Sequence, residues 1–107
     1  MNQNQYAMVH WTCGSLDEAR IIARHLVEEK LVACANIIPW VESFFLWNDQ
    51  LDVAQESKVI FKTKASLFEK VKETILSKSK YEVPEILMVP IEAGNQEYLD
   101  WLASNTL

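Results

Sequence analysis

Two long strand-like segments, separated by a short polar turn, constrain the fold of this chain more than any other feature. The first runs from Ala35 to Trp47 ("ANIIPWVESFFLW") and the second from Leu51 to Thr63 ("LDVAQESKVIFKT"). Both are rich in the β-branched and aromatic residues that favour strands, and Asn48-Asp49 between them is suited to a tight turn. The pattern predicts one long β-hairpin.

This hairpin is too long to be buried within its own domain. Each arm has 13 residues, which extend over about 43 Å as a strand. A domain of roughly 100 residues has a radius of gyration of about 13 Å. Strict alternation makes the first arm apolar on both faces, with Ile37, Val41, Phe45 and Trp47 on one and Ile38, Trp40, Phe44 and Leu46 on the other. Because such a ribbon would aggregate if left exposed, we expect a homo-oligomer in which each hairpin packs on a neighbour's sheet.

The segment before the hairpin predicts a strand followed by a helix. Tyr6 to Cys13 ("YAMVHWTC") has the composition of a buried strand. Ser15 and Glu18 form a capping-box pattern at the start of a helix that ends near Lys30. Its apolar positions follow helical spacing: Ala19, Ile22, Ala23, Leu26 and Val27.

The segment after the hairpin repeats this order. Ser66 and Glu69 form a second capping-box pattern, and the helix it predicts has Leu67, Val71 and Ile75 on one face. Ile86 to Ile91 predicts a short buried strand. Gly94-Asn95 then precedes a last helix that carries Tyr98, Leu99, Trp101 and Leu102.

The order β-α-β-β-α-β with a terminal helix predicts an α+β, ferredoxin-like sandwich: one antiparallel sheet with helices on one face, forming a single domain over residues 1–107. In that topology the second and fourth strands lie at the edges of the sheet. Pro39 and Pro90 fall in those strands, where a missing N–H is tolerated. Cys13 and Cys34 lie at opposite ends of the sheet, so we expect two buried, reduced thiols and no disulfide.

Composition and motifs narrow the range of functions. The chain has 10 basic and 15 acidic residues and no basic block, so we expect no nucleic-acid partner. The apolar runs are too short to span a membrane, and "MNQNQY" lacks the pattern of a signal peptide, so we expect a cytoplasmic protein. The sequence contains no Gly-rich phosphate loop, no nucleophile elbow and no paired-histidine motif, so we expect no enzymatic activity.

Several stretches together resemble the CutA family of divalent-cation tolerance proteins. They are "EEKLVACANIIP" (Glu28 to Pro39), Trp47 with "IFKT" (Ile60 to Thr63), "YEVPEI" (Tyr81 to Ile86), "VPI" (Val89 to Ile91) and "GNQEYLDWL" (Gly94 to Leu102). They cover nearly the whole chain in the family's order. The resemblance implies a ferredoxin-like homotrimer whose long hairpins pair between subunits. It also implies a role in tolerance of copper and other divalent metals, with no defining catalytic activity.

The chain departs from that family at four places. Many members have His-Pro before the Tyr-Glu-x-Pro-Glu segment, and that histidine is their best candidate metal ligand; here the positions are Ser79 and Lys80. Some members have a cysteine where this chain has Trp11, and glycine is usual at the positions of Trp40 and Asp49. A serine hydroxyl is a poor ligand for copper or zinc, so the resemblance implies a weakened metal site.

Glu82 and Glu85 are the main candidates for a site, because they lie in the loop between the second helix and the last strand. We expect an intersubunit cleft lined by Trp47, Glu56, Lys62, Tyr81, Glu82, Glu85 and Trp101. Such a cleft suits a divalent cation held by Glu82 and Glu85, or a small polar metabolite as in the similarly folded PII-like trimeric signalling modules. A purely structural alternative is that Glu56, Lys62 and Glu85 form ion pairs that fix the trimer. His10 and His25 have no second histidine at ligand spacing, and we expect neither to bind a metal.

Overall fold

The computed structural model describes residues 5–107 and has the predicted order of elements. They are β1 (Tyr6–Cys13), α1 (Leu16–Glu28), β2 (Cys34–Trp47), β3 (Gln50–Lys64), a 3₁₀ turn (Ala65–Leu67), α2 (Phe68–Lys78), β4 (Glu85–Ile91) and α3 (Gln96–Ser104). The four strands form one antiparallel sheet in the order β2-β3-β1-β4. The predicted edge strands are confirmed, and with them the placement of Pro39 and Pro90. Within residues 5–107, no helix is long and apolar enough to cross a membrane.

The core lies between one face of the sheet and the helices. Alternate residues of β1 are buried on that face, which we call the helix face; the other is the open face. The ring of Trp11 stacks on that of Phe61 with centroids 6.3 Å apart. Both lie against apolar side chains of α1 and α2: Ala19, Ile22, Ala23, Leu26, Val71 and Ile75. The apolar positions predicted for the first two helices are therefore buried, except Val27, which is exposed; in the last helix Leu102 is buried, whereas Tyr98 and Trp101 are exposed.

Only one of the two reciprocal hydrogen bonds of the first predicted capping box forms, and the second predicted capping box does not form. Ser15 Oγ accepts a hydrogen bond from the backbone N–H of Glu18 at 2.9 Å. The Glu18 carboxylate, however, accepts from the N–H of Lys80 at 3.0 Å, which ties the start of α1 to the chain after α2. Ser66 lies inside the 3₁₀ turn, and α2 has no side-chain cap. The second capping-box prediction was wrong because the chain enters α2 through that tighter turn.

A β-bulge interrupts β2 after Ile38. Ile38 pairs with Lys58 and Val41 pairs with Glu56, so β2 advances three residues where β3 advances two. Trp40 lies in the bulge with a φ of 62°. This left-handed conformation favours glycine.

The bulge also corrects the predicted faces of β2. Residues paired across a sheet share a face, so Ile38 and Val41 both lie on the open face, together with Phe45 and Trp47. Phe44 and Leu46 lie on the opposite face. Strict alternation was therefore wrong from Val41 onward, since one extra residue reverses the parity of every later side chain.

The hairpin turn and the absence of a disulfide between Cys13 and Cys34 agree with the sequence-based predictions. Asn48 and Asp49 have φ values of 53° and 64°, as a two-residue type I′ turn requires. Cys13 and Cys34 are both free. Cys13 is buried on the helix face, whereas Cys34 is half-buried on the open face, so the expectation of a buried Cys34 is corrected.

The end of the hairpin extends beyond the core. The molecule measures 45 × 26 × 22 Å, and its radius of gyration is 14.6 Å. Near the turn, Phe44, Leu46, Leu51 and Val53 share one face and are 49–70% exposed. The predicted apolar ribbon is present, and in the single chain it is uncovered.

Candidate ligand cleft

The segment between α2 and β4 begins at a residue whose polar groups are already engaged. Ser79 ends α2, and its backbone N–H donates to the carbonyl of Ile75 at 2.7 Å. Its hydroxyl oxygen accepts from the N–H of Tyr81 at 3.3 Å. At the position of the family's candidate metal ligand, this chain therefore has a short side chain that serves the local turn.

Tyr81 joins this segment to the base of the hairpin. Its hydroxyl donates to Glu56 Oε2 at 2.6 Å, and the Glu56 side chain is buried. The ring lies so close to Gly14 that a Cβ there would stand 3.0 Å from the Tyr81 oxygen, so Gly14 permits the contact. Burial, followed by the hydrogen bond to the Glu56 carboxylate, raises the pKa of Tyr81. Tyr81 therefore stays protonated and donates this bond at neutral pH.

Glu85 is held by two neighbouring strands. At the start of β4, its Oε1 accepts from the hydroxyl of Thr12 at 2.8 Å and lies 3.5 Å from the ammonium of Lys58. These groups share the open face, where Thr12 pairs with both Lys58 and Glu85 in the register of the sheet. The contact is partly exposed, so its main effect is to orient the carboxylate.

Glu82 and Asp52 differ from these two carboxylates. Among residues 5–107, neither side chain takes part in a hydrogen bond or an ion pair. Both are exposed. Both oxygen atoms of each of these two carboxylates are thus available to a ligand.

These groups line a cleft of about 560 Å³ between the hairpin and the segment before β4. Five of the seven predicted site residues line it: Trp47, Glu56, Tyr81, Glu82 and Glu85. The other lining residues were not predicted: Thr12, Ser43, Phe44, Phe45, Asp52, Ala54 and Val83. A volume of this size is in the range of small-molecule sites.

The two remaining predicted residues lie elsewhere in the chain. Lys62 donates to Asn36 Oδ1 on the open face, near the start of β2. Trp101 packs on Tyr98 within α3, with ring centroids 5.5 Å apart. Within one chain, neither lines the cleft, and Lys58 rather than Lys62 is the lysine that pairs with Glu85.

Part of what was missed could have been found in the sequence. A two-residue turn at Asn48-Asp49 fixes the pairing of Phe45 with Asp52, as observed. The turn does not show that Lys58 rather than Lys62 lies beside Glu85, because both lysines lie on the same face of β3.

The carboxylates of the cleft do not form a metal cage. Within residues 5–107, no group of three or more His, Cys, Asp or Glu side chains could hold a metal ion. Cys13 donates to the carbonyl of Ser15 at 3.5 Å, and burial and the charge of Glu18 raise its pKa to about 11. It is a protonated core thiol at neutral pH and a poor metal ligand.

Known proteins resemble this chain over almost its full length. Residues 7–105 match the family described as "CutA1 divalent ion tolerance protein". A "Divalent-cation tolerance protein CutA" from Thermus thermophilus is 45% identical over 95 residues, which cover 89% of this chain and 92% of that one. "Protein CutA 1, chloroplastic" from rice is 34% identical over 99 residues, which cover 92% of this chain and 56% of that one.

The fold agrees with solved structures of such proteins. The crystal structure of CutA1 from Oryza sativa superposes with a TM-score of 0.94 at 32% identity, over 98% of this chain and 96% of that one. A structure described as "Divalent cation tolerance protein (Cut A1)" from Thermus thermophilus gives a TM-score of 0.92 at 43% identity, over 95% of this chain and 99% of that one.

Proposed function

This chain belongs to the family of CutA1 divalent ion tolerance proteins, and from that membership we propose that it is a non-enzymatic homotrimer that acts in the response to copper and other divalent cations. The observation that carries the assembly is the uncovered apolar end of the hairpin, where Leu46 and Leu51 are each 70% exposed. In the proposed trimer these side chains pack on neighbouring subunits, which removes them from water.

The proposed metal contact is weak and uses oxygen ligands. Glu82 and Glu85 face one cleft, while Ser79 offers a hydroxyl that already accepts a hydrogen bond from Tyr81. Carboxylates suit hard cations, whereas copper and zinc bind imidazole and thiolate ligands more tightly. Replacement of the family's histidine by Ser79 therefore supports low affinity for copper.

Calorimetric titration of copper(II) into tag-free protein tests this site. We expect weak binding that is lost in the double variant Glu82→Gln/Glu85→Gln, because the amides carry no charge. Ser79→Ala is the matched control and should bind copper as the wild type does. Tight stoichiometric binding that survives loss of both carboxylates, or that depends on Ser79, would contradict the proposed site.

A second candidate is a trimeric signalling module that binds a small metabolite, as the PII-like regulators do. The cleft favours it, because aromatic rings and oriented polar groups line one concave volume of about 560 Å³. A thermal-shift screen of nucleotides, organic anions and amines separates the candidates, since a ligand that binds the folded state raises the unfolding temperature.

We propose that the protein acts in the cytoplasm. Cys13 and Cys34 are both free, as is usual for a compartment that keeps thiols reduced. Fractionation of the cells that express it should recover it with cytoplasmic markers; recovery with an exported fraction would contradict this location.

A further inference from the structure

We propose that the cleft binds an aliphatic diamine or polyamine, with its ammonium groups on the carboxylates and its methylene chain against the aromatic rings. The inference rests on the proposed role of the cleft as a small-molecule site, and it names the class of ligand. Three properties of the cleft support it: its charge, its aromatic lining and the origin of its carboxylates in different parts of the chain.

The cleft is strongly acidic. Its four carboxylates are those of Asp52, Glu56, Glu82 and Glu85. Lys58 offsets the charge of Glu85, and the Tyr81 hydroxyl satisfies Glu56 with a hydrogen bond but no charge. The carboxylates of Asp52 and Glu82, without partners among residues 5–107, remain to attract a cation. An organic anion such as a nucleotide would be repelled by the same field.

Aromatic rings form the other part of the lining. Phe45, Trp47 and Tyr81 line the cleft and are 37–44% exposed, so part of each ring is open to a ligand. The faces of such rings attract ammonium groups, and their apolar area packs on methylene groups. A bare metal ion gains little from these rings, whereas an alkylammonium ion uses both them and the carboxylates.

The carboxylates of the cleft are supplied by different parts of the chain and do not form a metal-binding group of three within residues 5–107. Asp52 is in the outer part of β3, Glu82 lies in the segment before β4, and no set of three donors within residues 5–107 could hold one metal ion. Carboxylates from different parts of the chain, in a cleft that aromatic side chains also line, match a cation whose charges are separated by a carbon chain. The cleft is therefore better suited to a diamine than to a divalent ion of the same charge.

The charged groups proposed to hold the ligand and the leucines proposed for subunit contact lie on different faces of the hairpin, although Phe44, which shares the face of the leucines, also lines the cleft. Phe45 and Asp52 pair on the open face, which turns toward the cleft. Leu46 and Leu51 pair on the opposite face, and these are the side chains we assign to subunit contact. Binding of an amine is thus compatible with the assembled protein.

Calorimetry with spermidine and putrescine on the full-length protein tests the inference. We expect both to bind, with 1,4-butanediol, which has the same carbon chain as putrescine without its charges, giving no signal. Asp52→Asn/Glu82→Gln should lower the affinity for spermidine at least tenfold. The matched control Glu73→Gln/Glu97→Gln removes the same charge from exposed positions on α2 and α3 and should stay within twofold of the wild type.

A variant of the aromatic wall separates specific binding from general attraction of cations. Trp47→Leu keeps every charge, and we expect it to lower the spermidine affinity at least threefold. The proposal would be overturned if Trp47→Leu bound spermidine as tightly as the wild type. It would also be overturned if Asp52→Asn/Glu82→Gln and Glu73→Gln/Glu97→Gln bound spermidine equally tightly. Full displacement of spermidine by magnesium at matched ionic strength, or binding of a nucleotide in the cleft, would overturn it as well.

Light scattering on the same samples measures the oligomeric state, so the inference and the proposed function can fail independently. A trimer that responds to copper but binds no amine overturns the inference alone. A protein that binds spermidine through Asp52 and Glu82 but stays monomeric supports the inference and overturns the proposed trimer.

Discussion

At the scale of single residues, Trp40 combines an unfavourable backbone conformation with an exposed side chain. Its φ is 62° and it is 75% exposed in the chain. A residue with a Cβ in the left-handed region costs about 1–2 kcal/mol relative to its ordinary conformation, and glycine avoids most of this cost. Trp40→Gly should therefore be more stable than Trp40→Ala by about 1 kcal/mol.

Denaturant unfolding at one fixed protomer concentration measures this difference, because the stability of an oligomer depends on concentration. Val83 supplies the control: it is 70% exposed and lies in an irregular segment without a positive φ. There the alanine variant should be at least as stable as the glycine variant, since glycine gains entropy on unfolding. If Trp40→Ala were also at least as stable as Trp40→Gly, the bulge would not require a residue that favours the left-handed conformation.

Cys13 predicts a loss of stability at alkaline pH. Its folded pKa is about 11, against 9.0 for an ordinary thiol, so the folded state keeps a proton that the unfolded chain loses. The resulting stability is complete below pH 9 and is lost as pH rises toward the folded value. Between pH 9 and about pH 10, this group should lower the unfolding free energy by about 1 kcal/mol.

Urea unfolding across this range, on wild type and Cys13→Ala, isolates the thiol. The variant starts from a lower stability because a buried side chain is shortened, but its stability should change less between pH 9 and about pH 10. Tyr81, whose pKa is also raised, adds its own loss above about pH 10, the ordinary value of tyrosine. Parallel pH profiles for the two proteins would rule out the thiol as the cause.

The residues of the cleft show how far the sequence determines a site. Glu82, Tyr81 and Glu85 were predicted because they stand together in a loop before a strand, where one segment carries them all. Lys62 was predicted to lie in the cleft, whereas Lys58 is the lysine beside it. Both lysines lie on one face of β3, and the alternation of side chains identifies the face but not the position along the strand. The partner of Glu85 depends on the register between β1, β3 and β4, which only the assembled sheet defines.

At the scale of elements, the hairpin was predictable and its bulge was not. The bounds of β1 are those predicted, and the turn at Asn48-Asp49 follows from residues that tolerate positive φ. The bulge at Trp40 has no local sequence signal here, because a bulky residue occupies a conformation usually taken by glycine. Similarly, Glu18 matches a local capping pattern, yet its carboxylate bonds to Lys80 from a distant segment.

The hairpin end gives the test of assembly. We expect the wild type to scatter light as three chains of 12.4 kDa each. Leu46→Glu/Leu51→Glu should dissociate the trimer at micromolar concentration, since it places two charges in the proposed apolar contact.

The control for this test changes apolar residues that are exposed outside the hairpin. Ile21→Glu/Leu76→Glu alters side chains on α1 and α2 that are 67% and 51% exposed. This protein should remain trimeric. A monomeric wild type, or dissociation by the control pair alone, would contradict hairpin-mediated assembly.

At the scale of the whole molecule, the fold was predictable because each level of the sequence favours the same topology. Apolar periodicity, turn residues and edge-strand prolines all agree with the sheet order β2-β3-β1-β4. Which predicted site residues would line the cleft within one chain could not be predicted, since in the proposed trimer this depends on which face of the hairpin meets another subunit. Lys62 and Trp101, outside the cleft in the single chain, illustrate this.

The sheet order also affects how the chain folds during synthesis. β1 pairs with β4 as well as β3, so Tyr6 must wait for Ile91 to leave the ribosome before the sheet can close. The hairpin, made of neighbouring segments, can pair much earlier because its loop is only two residues long. A nascent chain therefore exposes two surfaces at once, the apolar end of the hairpin and the unpaired edge of β1, and both favour aggregation before synthesis is complete.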